Sequence, residues 1–374
     1  MKVILKQEIL KEGVGIIERI AQKTISLPIL QNTLIKGEGN FFNLTTTNLE
    51  IGINWWTLAK VEIEGQIAVP TRLFSTLISF LPNKLIKMER KDLLLDIECD
   101  SYRTELLGQN PDEFPIIPIP KEGEKISIDS QTFCQGLTQV VDISSLSVAR
   151  PEISGIYLLF QKDLVKTVAT DSFRLGEKKL FLKTPLTKEY ALILPKLAAK
   201  EVINIFGEKE GNIQIYFSPN QILFESQMLE TAHPKVQLVS KLIEGEYPNY
   251  EAIIPKKYET QIVLLRSEFL NQIKSASLFS GKINEVRLKI NPKKGELEIN
   301  SQSPDFGRYQ SFLPAKIKGK EIEISFNHRF LIDGLFQIKS PEIIFELTGE
   351  GGPAVLKPTQ TEDYLYVVMP IKTP

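Results

Sequence analysis

Apolar residues recur along the chain with the spacing of an amphipathic helix, and this pattern occurs three times in similar surroundings. It occupies residues 9–20, residues 133–141 and, more weakly, residues 269–277. In each place the apolar positions follow the spacing i, i+4, i+7 and i+8, which puts them on one helical face. The patterns begin 124 and 136 residues apart, and a short strand-like stretch precedes each one. This periodicity predicts a structural unit that is repeated three times.

A second helix pattern follows the first one in each copy, about 60 residues further along the chain. Its start carries a proline or an asparagine, in Val69-Pro70-Thr71, Leu194-Pro195-Lys196 and Phe326-Asn327-His328. Both residue types favour the first turn of a helix, where the backbone N–H groups lack partners within the helix. Strand-like runs bounded by turn residues lie between and after the helices, and they end in the third copy with residues 343–347 and 364–369.

Proline-containing connectors close the first and second copies, in residues 114–118 and 247–255. Proline suits a connector because it extends neither a helix nor a central strand. The chain is therefore predicted to be an α+β protein with three domains, at residues 1–120, 121–252 and 253–374. Each domain is predicted to contain two helices packed on antiparallel sheets. The alternative is three unrelated α+β domains, which would not be expected to repeat both helices, the strands and the connector in the same order.

Composition narrows the class of protein without deciding it. The chain has 45 Lys and Arg against 46 Asp and Glu, so it is not a uniformly basic nucleic-acid binder. A positive surface confined to one face remains compatible with this balance. No apolar run reaches the roughly 18 residues of a membrane span, and the charged N-terminus argues against a signal peptide. With only Cys99 and Cys134, no disulfide framework is predicted, and a cytoplasmic location is expected.

Signatures of catalysis and metal binding are poor. His233 and His328 have no metal-ligand spacing to cysteine or to each other, and neither a nucleophile elbow nor a P-loop occurs. Gly349-Glu350-Gly351 imitates a dinucleotide-binding turn, but Pro353 and Pro358 prevent the helix that should follow it. We therefore predict no enzymatic activity, no catalytic residue, no cofactor and no metal.

Four segments resemble the bacterial DNA sliding clamp, the β subunit of the replicative DNA polymerase III. They are residues 27–32, 168–175, 240–250 and 366–370, which lie in the family's order and extend over all three copies. The resemblance implies three repeated DNA-clamp domains per chain and a head-to-tail homodimer that forms a closed six-domain ring. It implies a polymerase processivity factor that encircles double-stranded DNA without reading its sequence. Its partners would be the replicative polymerase, the clamp loader and repair polymerases, which bind through short peptide motifs.

The size of such a ring agrees with this role. Twelve helices of about 10 Å diameter would form a perimeter near 120 Å and leave an opening of about 28 Å, enough for a duplex roughly 20 Å across. The resemblance implies that DNA phosphates contact Lys23, Arg72, Arg150 and Lys196. Such contacts are independent of base sequence and sensitive to salt, which suits a ring that slides. Thr24 stands where many relatives carry arginine, so Lys23 is expected to replace that contact.

The resemblance also implies a pocket for partner peptides. Its residues would be Ile153, Thr170, Ser172, Phe173, Arg174, Leu175, Pro248, Ile253, Asn327, Phe330, Val367, Val368, Met369 and Pro370. Methionine and aliphatic walls accept an extended apolar peptide, and Arg174 and Asn327 are expected to orient the peptide backbone. Ser172-Phe173 stands where Gly-His is common in the family, and the chain ends in Thr373-Pro374 instead of the usual basic and apolar residues. The peptide preference is therefore expected to differ.

A second function class is kept beside the clamp. The chain could be a repeat scaffold that binds protein partners through its sheets and has no role on DNA. The mass in solution and retention on circular but not linear DNA would separate the two. If the ring exists, its dimer interface is expected to involve residues 97–107 on one side and residues 269–283 with 296–300 on the other.

Overall fold

The structure is a computed structural model, and it describes residues 1–21, 27–120, 125–145, 147 and 149–371. It confirms the predicted α+β architecture and places a helix at each of the predicted positions. The helices are α1 (Gln7–Ile17), α2 (Thr71–Phe80), α3 (Ser130–Thr138), α4 (Lys196–Phe206), α5 (Arg266–Ser277) and α6 (His328–Gln337). Each copy of the repeat therefore contributes two helices.

The strands follow the helices in nearly the same order in each copy. The first copy contains β1 (Lys2–Lys6), β2 (Asn32–Glu38), β3 (Phe41–Thr47), β4 (Ile51–Leu58), β5 (Lys60–Ile63), β6 (Gly65–Pro70), β7 (Leu85–Lys91), β8 (Leu94–Cys99) and β9 (Tyr102–Leu107). The second contains β10 (Lys125–Asp129), β11 (Gly155–Phe160), β12 (Leu164–Thr170), β13 (Arg174–Phe181), β14 (Tyr190–Pro195), β15 (Asn212–Ser218), β16 (Gln221–Gln227) and β17 (Pro234–Lys241). The third contains β18 (Thr260–Leu265), β19 (Glu285–Asn291), β20 (Glu296–Ser303), β21 (Gly307–Pro314), β22 (Lys316–Gly319), β23 (Ile322–Asn327), β24 (Glu342–Leu347), β25 (Ala354–Pro358) and β26 (Tyr364–Val368).

Helix α1 shows how the apolar pattern becomes packing. Its buried face includes Leu10, Val14 and Ile17, the residues that helical spacing places together. Gly13 lies on the same face against the indole of Trp55, and a Cβ at this position would come within 2.6 Å of the ring. Only glycine permits this approach, because any side chain would overlap the buried indole.

By compactness the chain divides into two units. The first consists of Met1–Cys134 and Leu197–Leu242, and the second of Gln135–Lys196 and Ile243–Pro374. The strands of the second copy are thus shared, with β10 and β15 to β17 in the first unit and β11 to β14 in the second.

The first unit contains two sheets. One has the strand order β5-β1-β7-β8-β9, and the other has the order β10-β15-β16-β17-β4-β3-β2-β6. The larger sheet joins two copies of the repeat, because β4 pairs antiparallel with β17 from Val236↔Trp55 to Ser240↔Ile51. We call this pairing of β4 with β17 the first junction.

The second unit is built in the same way. Its sheets have the orders β14-β11-β12-β13-β26-β25-β24-β18-β22 and β21-β20-β19-β23. Here β13 pairs antiparallel with β26, from Arg174↔Val368 to Lys178↔Tyr364. We call this pairing of β13 with β26 the second junction. In both junctions, the third strand after the first helix of one copy meets the last strand of the next copy.

Both cysteines are interior residues. Cys99 is 1% exposed and Cys134 is 2% exposed, and both are free thiols. Burial raises the pKa of the Cys99 thiol, and it raises that of the Cys134 thiol to about 12.

Candidate partner pocket and DNA-facing residues

The predicted pocket residues lie within the second unit, around the second junction. Leu175 of β13 pairs with Val367 of β26. Both side chains belong to a buried apolar cluster that also contains Tyr247 and Tyr250 from the connector. The connector therefore packs directly against the paired strands, and the pocket is built on a continuous sheet.

Short polar side chains fix the loop between β12 and β13. Asp171 Oδ1 accepts hydrogen bonds from the backbone N–H groups of Phe173 and Arg174, both at 3.0 Å. The Thr170 hydroxyl donates to the Arg174 carbonyl at 2.8 Å. Ser172 adopts a φ of +77°, a left-handed conformation that few residues other than glycine take. This compact turn presents the Phe173 side chain to the surface, where the residue is 61% exposed.

Phe173 and Phe330 form an aromatic pair, with ring centroids 6.4 Å apart and planes inclined by 23°. The Arg174 guanidinium lies 4.7 Å from the Phe330 centroid, within cation–π range. It also forms ion pairs with Asp171, at 2.9 Å, and with Asp333. The Arg174 charge is thus compensated inside the protein, and its structural effect is to hold the Phe330 ring in place.

The predicted pocket residues separate by exposure. Exposed residues are Ser172, Phe173 and Ile253; partly exposed ones are Arg174, Pro248, Asn327, Phe330, Met369 and Pro370; buried ones are Ile153, Thr170, Leu175, Val367 and Val368. The buried group supports the surface from below. The first two groups are the ones that a peptide could contact directly.

A backbone hydrogen bond holds Met369 beside the loop, and a side-chain hydrogen bond caps α6. The Met369 N–H donates to the Phe173 carbonyl at 2.8 Å, which extends the β13–β26 pairing by one bond. Asn327 Oδ1 accepts from the Arg329 N–H at 3.0 Å and so caps α6. Because this oxygen is engaged in the cap, a hydrogen bond from the Asn327 side chain to a peptide would have to come from its amide N–H groups.

The connector carries supporting residues that sequence reasoning did not assign to the site. The ring of Tyr247 stacks on Tyr157, with centroids 4.7 Å apart and planes inclined by 9°. The Tyr250 hydroxyl donates to Glu177 Oε2 at 2.7 Å, and burial is the first cause that raises the pKa of this hydroxyl. A signal was present in the aromatic pair that flanks Pro248, but its partners lie far away in the sequence.

The predicted DNA-contacting residues have different surroundings. Arg72 is exposed in the first turn of α2, in the first unit. In the second unit, the Arg150 guanidinium pairs with Glu152 at 3.2 Å and donates to the Ser172 hydroxyl at 3.2 Å, beside the pocket loop. The Lys196 ammonium donates to the Ser144 carbonyl at 3.0 Å. Lys23, like Thr24 and the terminal Thr373-Pro374, lies outside the described residues.

Both histidines lie beside aromatic or hydroxyl side chains within the described residues. No group of three or more His, Cys, Asp or Glu residues there could hold a metal ion. His328 Nε2 lies 3.0 Å from the Ser280 hydroxyl, and His233 stacks on Phe41 with centroids 4.1 Å apart. Within the same residues, every helix is too short or too polar to cross a membrane.

Comparison with known proteins gives the family. The family models for the DNA polymerase III β subunit match in chain order: the N-terminal domain at residues 1–118, the central domain at 127–249 and the C-terminal domain at 251–372. The β sliding clamp of Synechococcus elongatus is 28% identical over 381 residues, covering 100% of this chain and 99% of its own. That of Staphylococcus aureus is 28% identical over 358 residues, with 93% of each chain covered.

Solved structures agree. The DNA polymerase sliding clamp of Bacillus subtilis matches with a TM-score of 0.95 and 26% identity over the full length of both chains. A Pseudomonas aeruginosa sliding clamp bound to griselimycin matches with a TM-score of 0.93 over both full chains, and its 23% identity supports the fold alone. The chain therefore belongs to the bacterial DNA sliding clamp family, the β subunit of DNA polymerase III, whose members are non-enzymatic processivity factors of DNA replication.

Proposed function

We propose that two copies of this chain close head to tail into a six-domain ring around duplex DNA. Each chain contributes domains at residues 1–120, 121–252 and 253–374, and the ring works in the cytoplasm. The observation that carries this proposal is the pattern of the two junctions. Each joins the third strand after the first helix of one copy to the last strand of the next. In the third copy the third strand after the first helix is β21, and in the first copy the last strand is β9. In the described chain both lie at sheet edges.

A free sheet edge offers unpaired N–H and C=O groups to another chain. Apolar side chains accompany both edges: Tyr102 and Leu107 on β9, and Phe306 and Phe312 at β21, are all more than half exposed. Exposed apolar residues grouped at a sheet edge are typical of an interface. Two β9–β21 pairings would close a dimer with a single twofold axis.

The first junction supplies a register for the missing pairing. Gly52, Leu175 and Gly307 are equivalent, since each closes its hairpin by pairing with Thr47, Thr170 and Ser303, respectively. Gly52 pairs with Val239 of β17. The first residue of β16, Gln221, pairs with Lys241, which is two residues after Val239. In the first copy, β8 begins at Leu94, which pairs with Leu107 of β9. Two residues before Leu107 is Glu105, which is therefore equivalent to Val239. We therefore expect Glu105 to face Gly307 of the partner subunit, and Thr104 to face Arg308 of the partner subunit.

Cysteine cross-linking tests this register. Directly opposed residues in an antiparallel pair have Cα atoms about 4.5–5.5 Å apart, within the range for a disulfide. The double variant Thr104→Cys, Arg308→Cys is expected to form a covalent dimer under mild oxidation. The matched control Thr104→Cys, Gln310→Cys is displaced by two residues and should cross-link far less. Equal cross-linking of both variants, or none in the first, would contradict the proposed ring contact.

For DNA, we propose that Lys23, Arg72, Arg150 and Lys196 supply phosphate contacts. The exposure of Arg72 at a helix start supports this role, since the N-terminus of a helix itself favours phosphate. Contacts of this kind carry no base specificity, as sliding requires.

For partners, we propose that the second-junction pocket binds short peptide segments of the replicative polymerase, the clamp loader and repair polymerases. The contacting surface would be Ser172, Phe173, Ile253, Pro248, Asn327, Phe330, Met369 and Pro370, with Arg174 as a positioning residue and Ile153, Thr170, Leu175, Val367 and Val368 as the base. The exposed aromatic pair next to a flexible methionine supports this assignment, because such surfaces accept apolar peptides. The ligand in the Pseudomonas clamp is consistent with a binding site on this fold.

A further inference from the structure

The first junction contains the same loop that shapes the pocket at the second junction. Asn48 Oδ1 accepts hydrogen bonds from the N–H groups of Glu50 and Ile51, at 3.0 and 2.7 Å. The Thr47 hydroxyl donates to the Ile51 carbonyl at 2.9 Å. Leu49 has a φ of +73°, the same left-handed conformation as Ser172 in the loop between β12 and β13. Each bond has its counterpart in the loop that presents Phe173.

The strands that pair beside the two loops, β17 and β26, correspond as well. The Lys241 N–H donates to the Glu50 carbonyl at 2.9 Å, as the Met369 N–H does to Phe173. Val239 lies opposite Gly52, as Val367 lies opposite Leu175. The two junctions therefore share one backbone arrangement. The residue of the first junction that is equivalent to Leu175 is Gly52.

The space above this glycine is filled by the connector that ends the first copy. A Cβ built on Gly52 would lie 2.7 Å from both Cδ1 and Cγ2 of Ile117, too close for any side chain. Ile117 is partly buried, whereas its neighbour Ile116 is 94% exposed. Pro115 and Pro118 flank the two isoleucines and hold the segment extended. An extended segment with one apolar anchor is how a peptide occupies a groove.

A groove of about 300 Å³ remains along this segment, bordered by Leu49, Pro118, Gln221 and Lys241. We propose that residues 114–118 act as an intramolecular ligand of the first junction, where Ile117 occupies a latent second site for an apolar peptide. The proposal rests on the partner pocket proposed for the second junction. A tethered segment competes at an effective concentration near millimolar, so it excludes free peptides of ordinary affinity. Each chain would then offer one vacant pocket.

Removing the anchor tests the latent site. The probe is a fluorescein-labelled peptide with the sequence of residues 113–120, measured by anisotropy on full-length protein carrying Met369→Ala to weaken the second-junction pocket. Adding Ile117→Ala is expected to create one binding site per chain, at least ten-fold tighter than in the parent. The matched control adds Ile116→Ala, which removes the same atoms from an exposed position and should leave binding at the parent level. Equal binding by the two variants, with unchanged sedimentation and melting, would overturn the proposal.

A second measurement does not depend on peptide binding. The thiol in Ile117→Cys is expected to react with a maleimide at least ten-fold more slowly than the thiol in Ile116→Cys. Adding Gly52→Leu supplies the side chain present at the second junction and displaces the segment, so the two rates should then converge. Equal rates without Gly52→Leu would show that Ile117 does not occupy the junction. Binding of polymerase peptides to the unmodified protein tests the partner pocket alone, so the two ideas can fail separately.

Discussion

At the scale of single residues, the proposed partner pocket combines a few protruding side chains with a buried base. Phe173 directly precedes β13 and Met369 directly follows β26, and the Met369 N–H donates to the Phe173 carbonyl at 2.8 Å. The Phe173 ring has a fixed position because Phe330 stacks on it and Arg174 holds Phe330. A partner would therefore meet a preformed aromatic face and one adaptable thioether, and little side-chain ordering would oppose binding.

Truncating the thioether should weaken recruitment without changing assembly. Met369→Ala removes apolar contacts with the peptide while leaving the backbone bond to Phe173 intact. The expected loss is about 1–2 kcal/mol, a five- to thirty-fold weaker affinity, as is usual for an interface anchor. Anisotropy with a labelled peptide from the organism's replicative polymerase measures it. Leu229→Ala, a fully exposed leucine of the first unit, is the control. Equal affinities for both variants and the unmodified protein would place the pocket elsewhere.

Lys209 is a residue whose environment opposes its charge. Burial lowers the pKa of its ammonium from 10.5 to about 8, and Nζ lies 5.9 Å from the ring centroid of Phe206. In the unfolded chain the same lysine keeps its proton up to a higher pH. Between pH 8 and 10.5 the unfolded state thus binds more protons, so the lysine's contribution to stability rises with pH in this window.

Replacing this lysine with an uncharged side chain should therefore stabilise the fold at neutral pH. Lys209→Met is expected to raise the free energy of unfolding at pH 7 by about 1–2 kcal/mol, less than the full pKa shift would give because the residue is partly exposed. The gain should shrink towards zero as the pH rises above 10.5, where the lysine loses its charge in the unfolded state as well. Thermal melts across this range measure it, with Lys11→Met on the exposed side of α1 as control. A gain that persists unchanged at high pH would indicate packing as the cause.

At the scale of elements, two of the proposed DNA contacts lie at helix starts, Arg72 in α2 and Lys196 in α4, and Arg150 lies beyond the end of α3. Replacing Arg72, Arg150 and Lys196 together with alanine should weaken DNA binding and flatten its dependence on salt by up to about three units, roughly 0.9 for each phosphate that is no longer neutralised. The reduction should fall below the maximum, because Arg150 and Lys196 already have partners within the protein.

The control for this prediction removes equal charge from strands. Lys36, Lys60 and Lys91 belong to β2, β5 and β7, and their side chains are 41%, 69% and 66% exposed. Alanine at all three is expected to leave the salt slope unchanged. Titration of a labelled duplex at several salt concentrations compares the variants, and identical slopes in both triple variants would remove the helix starts from the DNA surface.

The elements that sequence could predict are those with a strong local period. Helices α1 to α6 of the described chain lie at predicted positions, but two end early. Helix α1 ends at Ile17, where a short 3-10 turn continues to Ile20, and α3 ends at Thr138, before the predicted positions 140 and 141. Strand β25 was missed because prolines bracket its short apolar core, with Pro353 before the strand and Pro358 at its end. Its burial comes from pairing with β24 and β26, which no local pattern reveals.

The sequence could identify the segments of the candidate site, but not the ion pair and the hydrogen bond that connect them to distant residues. The motif around Phe173 and the terminal segment at Met369 were identified through resemblance. That Arg174 would be neutralised by Asp333 could not be read from the sequence, because 159 residues separate the pair. The same holds for the bond from Tyr250 to Glu177, 73 residues apart. Asp333 lies in α6 and Tyr250 in the connector, so only the tertiary fold brings these partners to β13.

At the scale of the whole molecule, a closed ring holds DNA by topology and need not grip it. The Thr104→Cys, Arg308→Cys dimer, oxidised after loading, is expected to stay on a nicked circular plasmid in salt that strips ordinary DNA-binding proteins. On the same DNA made linear, it should dissociate by sliding off the ends. Gel filtration with and without a restriction enzyme measures this difference. Retention on linear DNA would indicate binding by affinity, and dissociation from the circle would indicate an open assembly.

The burial of Cys99 and Cys134 has a practical consequence for following this protein one molecule at a time. Thiol-reactive dyes attack the thiolate, and Cys134, with a pKa of about 12, has only about one thiolate in ten thousand at pH 8. Burial also raises the pKa of the Cys99 thiol, and this residue is only 1% exposed. The native chain should therefore be almost silent to maleimide fluorophores. A single engineered surface cysteine can then carry a donor or acceptor dye without removal of the native residues, so ring opening and diffusion along DNA could be recorded on an otherwise unaltered protein.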